Sequence, residues 1–178
     1  MAEEKKEQWL NYLALTTVIL AVCATFATFY GQRHSTRAVL NQGEATNQWN
    51  YFQAKKIRSV MFEVQKDSLE LDIQMRGDTL SPAQKDALKK RVEGYGNKIA
   101  TWDTEMDGIQ KTARSHEKAR EEALVHGKFF GWAIIFLQMA ILLSSISGLL
   151  KKRPVWYAGL AVGAVGLVFF ANGFLLFM

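Results

Sequence analysis

Three apolar runs, Trp9–Tyr30, Phe129–Leu150 and Val155–Met178, interrupt an otherwise polar chain, and none of them carries a charged side chain. At 1.5 Å of helical rise per residue, about twenty residues cross the roughly 30 Å hydrocarbon core of a bilayer. A charge at the bilayer centre costs at least about 2.5 kcal/mol, so charge-free runs of this length are what lipid exposure requires. The pattern predicts an all-α integral membrane protein with three transmembrane helices. Residues 1–30 form a short tail and the first span, 31–126 an extramembrane segment, and 127–150 the second span. A basic turn at 151–154 leads into the third span at 155–178. The apolar core of the first run is longer than the 7–15 residues usual for a cleaved signal, and the preceding residues have no net positive excess. It is therefore expected to be a retained anchor.

The segment between the first two spans has a different rhythm. Arg76-Gly77-Asp78-Thr79 is its clear breaker cluster, followed by Ser81-Pro82, which reads as an N-cap with proline at the first helical position. After that turn, apolar residues recur at alternating steps of four and three: Leu88, Val92, Tyr95, Ile99, Trp102, Met106 and Ile109. Before it, Ile57, Met61, Val64 and Leu71 follow the same rule, with Ser68 as a polar interruption. Folding the chain back at 76–81 pairs Leu71 with Leu88, Val64 with Tyr95, Met61 with Ile99 and Ile57 with Trp102. Both stripes share one centre, so the prediction is an antiparallel coiled-coil hairpin with these residues as its seam. The hairpin tip accounts for the Arg-Gly-Asp triplet without an adhesion role. Gly94 and Gly96 each cost about 1 kcal/mol in a helix relative to alanine, which predicts a kink or break in the second arm.

Nearer the membrane the first-arm seam positions turn polar, while Trp49, Tyr51 and Phe52 lie off the seam. Large exposed apolar groups usually mark an interaction site, so this collar, with His116 and Arg120, is a candidate subunit interface. In the third span, Gly159 and Gly163 have the small-xxx-small spacing that lets helices approach closely, and they join the same interface. The polar residues inside the spans, Gln138, Ser144, Ser145, Ser147 and Asn172, are candidates for interhelical hydrogen bonds or for the lining of a narrow hydrated path.

The formal charge of +5 does not point to nucleic acid, because residues 31–126 are nearly balanced, with 16 Lys/Arg against 14 Asp/Glu. The basic excess flanks the apolar runs, above all at Lys151-Lys152-Arg153. Positive-inside counting places that turn and the N-terminus in the cytoplasm and the hairpin outside, which is the periplasm in a Gram-negative bacterium. Cys23, the single cysteine, lies in the first span and cannot form an intramolecular disulfide. His34 and His126 fall at the same membrane boundary once the hairpin closes, which raises a two-histidine metal site; interfacial polar residues at span ends are the commoner case. No catalytic or phosphate-cradling motif is present, and neither metal nor cofactor is expected.

The opening Trp9-Leu10-Asn11-Tyr12-Leu13-Ala14-Leu15-Thr16-Thr17, the stretch from Asn47-Gln48-Trp49 to Gln53-Ala54-Lys55, and the closing run resemble one bacterial family. In that closing run the matching pieces are Phe136-Leu137-Gln138, Ile141–Ser145, Lys151-Lys152 and Gly159–Gly173. The family is domain of unknown function 4337, and the resemblance implies a small three-span protein of the bacterial inner membrane without a cofactor or an assigned reaction. The expected partners are membrane lipid and further copies of the chain, with an envelope protein left open. Two functions follow. The first is a non-enzymatic homo-oligomeric scaffold working through the hairpin; the other is a small oligomeric channel or transport component.

Overall fold

The computed structural model describes residues 2–76 and 78–176, with side chains from residue 8 onward. Gly77 of the predicted turn, the last two residues of the predicted third span (Phe177 and Met178) and Met1 fall outside them. The described chain is three α-helices: α1 Ala2–Arg76, α2 Pro82–Leu150 and α3 Arg153–Leu175. Each contains a stretch long and apolar enough to cross a membrane. The chain divides into two compact units, one of Met1–Leu40 with Ala119–Met178 and one of Asn41–Lys118.

In the first unit, small residues let three helices close on one another. Its core is Leu20, Ala24 and Ala27 of α1 with Phe130, Ala133, Leu137 and Ala140 of α2. From α3, Gly159, Gly163, Gly166 and Gly173 are buried. A Cβ at Gly166 meets the Leu137 backbone nitrogen at 3.0 Å, and one at Gly173 meets the Phe130 ring at 2.8 Å. Only glycine permits this approach at those two positions. The outward faces carry the opposite pattern: Leu15, Val22, Phe26, Ile135, Met139, Leu142, Val165 and Val168 are all exposed. A small-residue interior under a large apolar exterior is what a lipid-facing bundle needs, and the unit is consistent with a multi-pass membrane protein.

Local chemistry ends each helix. α1 closes with Thr79 N–H and Leu80 N–H donating to the Arg76 carbonyl at 2.9 and 3.2 Å. α2 opens on a reciprocal cap: Ser81 N–H donates to Gln84 Oε1 at 3.0 Å, and Gln84 N–H to Ser81 Oγ at 3.3 Å. This capping box satisfies two donors that the first helical turn leaves over. The basic turn takes Lys151 into the left-handed region at φ 53°. Lys152 N–H then reaches the Ser147 carbonyl at 3.3 Å, closing α2 with a six-to-one bond. α2 runs unbroken through Gly94 and Gly96, so the predicted break is absent. A cost of about 1 kcal/mol per glycine is small against the hydrogen-bonded turns on either side.

In the second unit, the arms of α1 and α2 pack side by side and antiparallel. Phe62 meets Tyr95 and Trp102 edge-on, with ring centroids 5.2 and 5.1 Å apart. Lys55 pairs with Glu105 beside this cluster, and Lys98 lies 5.3 Å above the Phe62 ring.

Candidate functional site

On the second arm, Leu88, Val92, Tyr95, Ile99, Trp102 and Ile109 are half-buried, and Met106 is buried. The first arm differs from the sequence expectation. Ile57, Met61, Val64 and Leu71 are exposed, and the covered positions include a stripe of Ala45, Gln48, Phe52, Lys55, Ser59, Phe62, Lys66, Leu69 and Ile73. This inner stripe also keeps heptad spacing, but it sits two residues away, about 200° around the helix. The reason is volume. Tyr95 and Trp102 of the second arm and Phe62 of the first fill the space between the arms, and the rest of the first arm's inner face includes the small Ala45 and Ser59 and the stems of Lys55 and Lys66. Counting apolar residues therefore selects the wrong face.

The displaced stripe is a candidate site. Ile57, Val60, Met61, Val64, Leu71 and Met75 are between 42% and 84% exposed and run along one side of the arm. It is a heptad surface with no partner among the described residues of its own unit.

Part of the collar makes contacts within the hairpin. Trp49 Nε1–H donates to Glu117 Oε1 at 2.8 Å, and its ring meets Phe52 edge-on at 5.6 Å. His116 Nδ1 lies 3.1 Å from Asn41 Oδ1. Tyr51 stays exposed, with the Lys55 ammonium 5.5 Å from its ring. Trp49 and Phe52 thus cover their own hairpin and are not the exposed patch that the sequence suggested. Arg120 is half-buried in the first unit.

Gly159 and Gly163 likewise serve contacts inside the chain. A Cβ at Gly159 meets Ala140 O, Leu143 and Ser144 at 3.3 Å, and one at Gly163 meets Leu20 at 3.0 Å. Small residues permit close approach to any helix, so spacing alone does not distinguish the same chain from another copy. The polar residues within the apolar runs split between two faces. Ser144, Ser147 and Asn172 are buried, whereas Gln138 and Ser145 are exposed. Ser147 Oγ–H donates to the Lys152 carbonyl at 2.8 Å, and Ser145 Oγ–H to Ile141 O at 2.9 Å.

A third feature lies in the first unit, where His34 and His126 meet. Their rings stack at 4.8 Å with 19° between planes, and Phe130 stacks on His34 at 5.7 Å. His126 Nδ1–H donates to the Gly173 carbonyl at 2.7 Å. Stacked rings aim their in-plane lone pairs past one another, so this pair is not arranged to chelate a metal. His34 Nδ1 is buried without a hydrogen-bond partner. Burial first, then the charges of His126, Arg37 and Arg33, hold the His34 pKa below its ordinary value of 6.5. Beside the stack lies a cavity of about 430 Å³ lined by Tyr30, Arg33, His34, Arg37 and Phe174.

The family model described as domain of unknown function, DUF4337, matches residues 9–176. The chain belongs to this family. No curated protein and no solved structure matches it. In this DUF4337 protein, the match covers both units and all three helices. Sequence reasoning brought His34 and His126 to one level but missed the cavity next to them. The signal was available in the spacing of Tyr30, Arg33, His34 and Arg37 at i, i+3, i+4 and i+7, which places all four on one helical face.

Proposed function

We propose that this DUF4337 protein is a non-enzymatic, homo-oligomeric scaffold of the bacterial inner membrane. The first unit is its three-span anchor, with the N-terminus and the Lys151–Pro154 turn in the cytoplasm and the hairpin in the periplasm. The observation that carries the reading is the outward heptad stripe Ile57, Met61, Val64, Leu71 and Met75, exposed on a helix whose opposite face already packs on its hairpin partner. A soluble helical surface of this kind favours a second helix over water. The occupant is a second copy of the same arm. Copies anchored in one membrane point the same way, and side-by-side pairing sets Ile57, Val64 and Leu71 against their own counterparts. Ser68 is the only polar residue in that series, and the flanking positions mix Val60, Gln65 and Gln74 with the charged Arg58, Asp67 and Asp72.

The channel reading has less support. A hydrated path needs several polar side chains facing one lumen, and this set is divided between the bundle interior and its outer face. Reconstitution in liposomes separates the two. The scaffold reading expects no ion flux above that of protein-free vesicles. Flux that disappears in Gln138→Leu favours the channel instead.

A further inference from the structure

We propose that the cavity of Tyr30, Arg33, His34, Arg37 and Phe174 binds a phosphate-bearing ligand, either the headgroup of a phospholipid or free phosphate. The lining divides by chemistry. Arg33 and Arg37 supply planar, permanently charged forks matched to phosphate oxygens, and none of the five lining residues is acidic. Tyr30 and Phe174 supply an apolar wall, packed edge-on with centroids 4.9 Å apart. His34 lines the same cavity, and its buried Nδ1 has no hydrogen-bond partner in the chain.

The place of the cavity fits a lipid phosphate. Tyr30 ends the first apolar run, and Phe174 lies in the last turn of α3, so both mark the edge of the apolar bundle. Aromatic residues belong at that level of a membrane. A volume of about 430 Å³ exceeds the need of a bare phosphate and falls in the usual range of small-molecule sites. The phospholipid source rests on the membrane placement proposed above; free phosphate does not.

The test uses the full chain purified in detergent, with native mass spectrometry against three probes: dioleoylphosphatidylglycerol, dioleoylglycerol and inorganic phosphate. Phosphatidylglycerol is expected to bind at least about tenfold more tightly than dioleoylglycerol. Arg33→Gln/Arg37→Gln is expected to lose at least about tenfold of that binding. Arg58→Gln/Arg91→Gln, the same charge change made in the second unit, is expected to leave it unaltered. Inorganic phosphate that binds with the same arginine dependence, while neither lipid does, assigns the site to free phosphate. Equal binding of both lipids with no phosphate bound, or a folded double variant that binds like the parent, overturns the proposal. Should the double variant lose its helical signal, Arg33→Gln alone is read in the same way. Loss of phosphate binding with the oligomer intact counts against this pocket alone, since the assembly stripe lies in the other unit.

Discussion

Trp49 and Glu117 are joined across the two arms of the hairpin by an indole N–H that donates to a carboxylate oxygen at 2.8 Å. A bond to a charged acceptor at a half-buried position contributes about 1–2 kcal/mol, discounted here for partial exposure. Glu117→Leu, which has no acceptor, and Trp49→Phe, which has no donor, should each lower hairpin stability by roughly 1 kcal/mol. Combined, they should cost no more than either one alone. Hydrogen-exchange protection of residues 41–55 and 110–118 measures it. Additive losses show that the bond is not the shared cause.

Glycines in the two units should respond in opposite directions to the same substitution. Gly166→Ala forces a Cβ to 3.0 Å from the Leu137 backbone nitrogen and 2.9 Å from its Cγ. Overpacking of this kind costs about 1–3 kcal/mol. Gly94 and Gly96 have nothing within 4 Å of an added Cβ. Gly94→Ala should therefore stabilise the second arm by up to about 1 kcal/mol. Thermal unfolding of the purified variants followed by circular dichroism gives both signs.

Ser59 is fully buried on the inner face of the first arm, and its hydroxyl has no partner. An unsatisfied buried hydroxyl costs about 1–3 kcal/mol. Ser59→Ala should raise stability by roughly 1 kcal/mol, and Ser59→Val should lose that gain through crowding. A midpoint unchanged or lowered in Ser59→Ala contradicts the assignment of this face as the interior.

His34 should make the first unit acid-sensitive. Its folded pKa lies below the ordinary 6.5 because of burial, with His126 on α2 and Arg37 and Arg33 on its own helix adding to the effect. Below pH 6.5 the unfolded chain therefore binds more protons than the folded one, and stability falls as pH falls toward the folded value. Above pH 6.5 this contribution is flat. A series of melts from about pH 7.5 to about pH 5 should show the decline in the parent and a shallower one in His34→Gln. Parallel curves contradict it.

The all-helical fold was legible because its signals are coarse and redundant. Charge-free runs of membrane length, a breaker followed by Ser81-Pro82, and alternating three-four steps all act over many residues. The second-arm stripe is easily read because its large residues, Tyr95, Trp102 and Met106, take up the interior. The first arm misleads for the complementary reason. Its inner face holds Ala45, Ser59 and lysine stems, so the strongest apolar periodicity lies on the outside. Trp49 is similar: its indole N–H finds Glu117 sixty-eight positions away, a pairing that no local spacing encodes. Gly159 and Gly163 show the remaining gap, because close approach looks the same in sequence whichever chain supplies the second helix.

Self-assembly through the outward stripe is the central claim, and subunit number in detergent by native mass spectrometry tests it most directly. Met61→Asp/Val64→Asp places charges on an exposed face, so each monomer keeps its fold while like charges meet across a shared seam. Trp49→Ala/Phe52→Ala weakens the hairpin's own packing and leaves that face intact. The account predicts that the parent and the Trp49/Phe52 variant are oligomers of the same size, and that Met61→Asp/Val64→Asp is monomeric. A monomeric parent, or a stripe variant with the parent's subunit number, contradicts it.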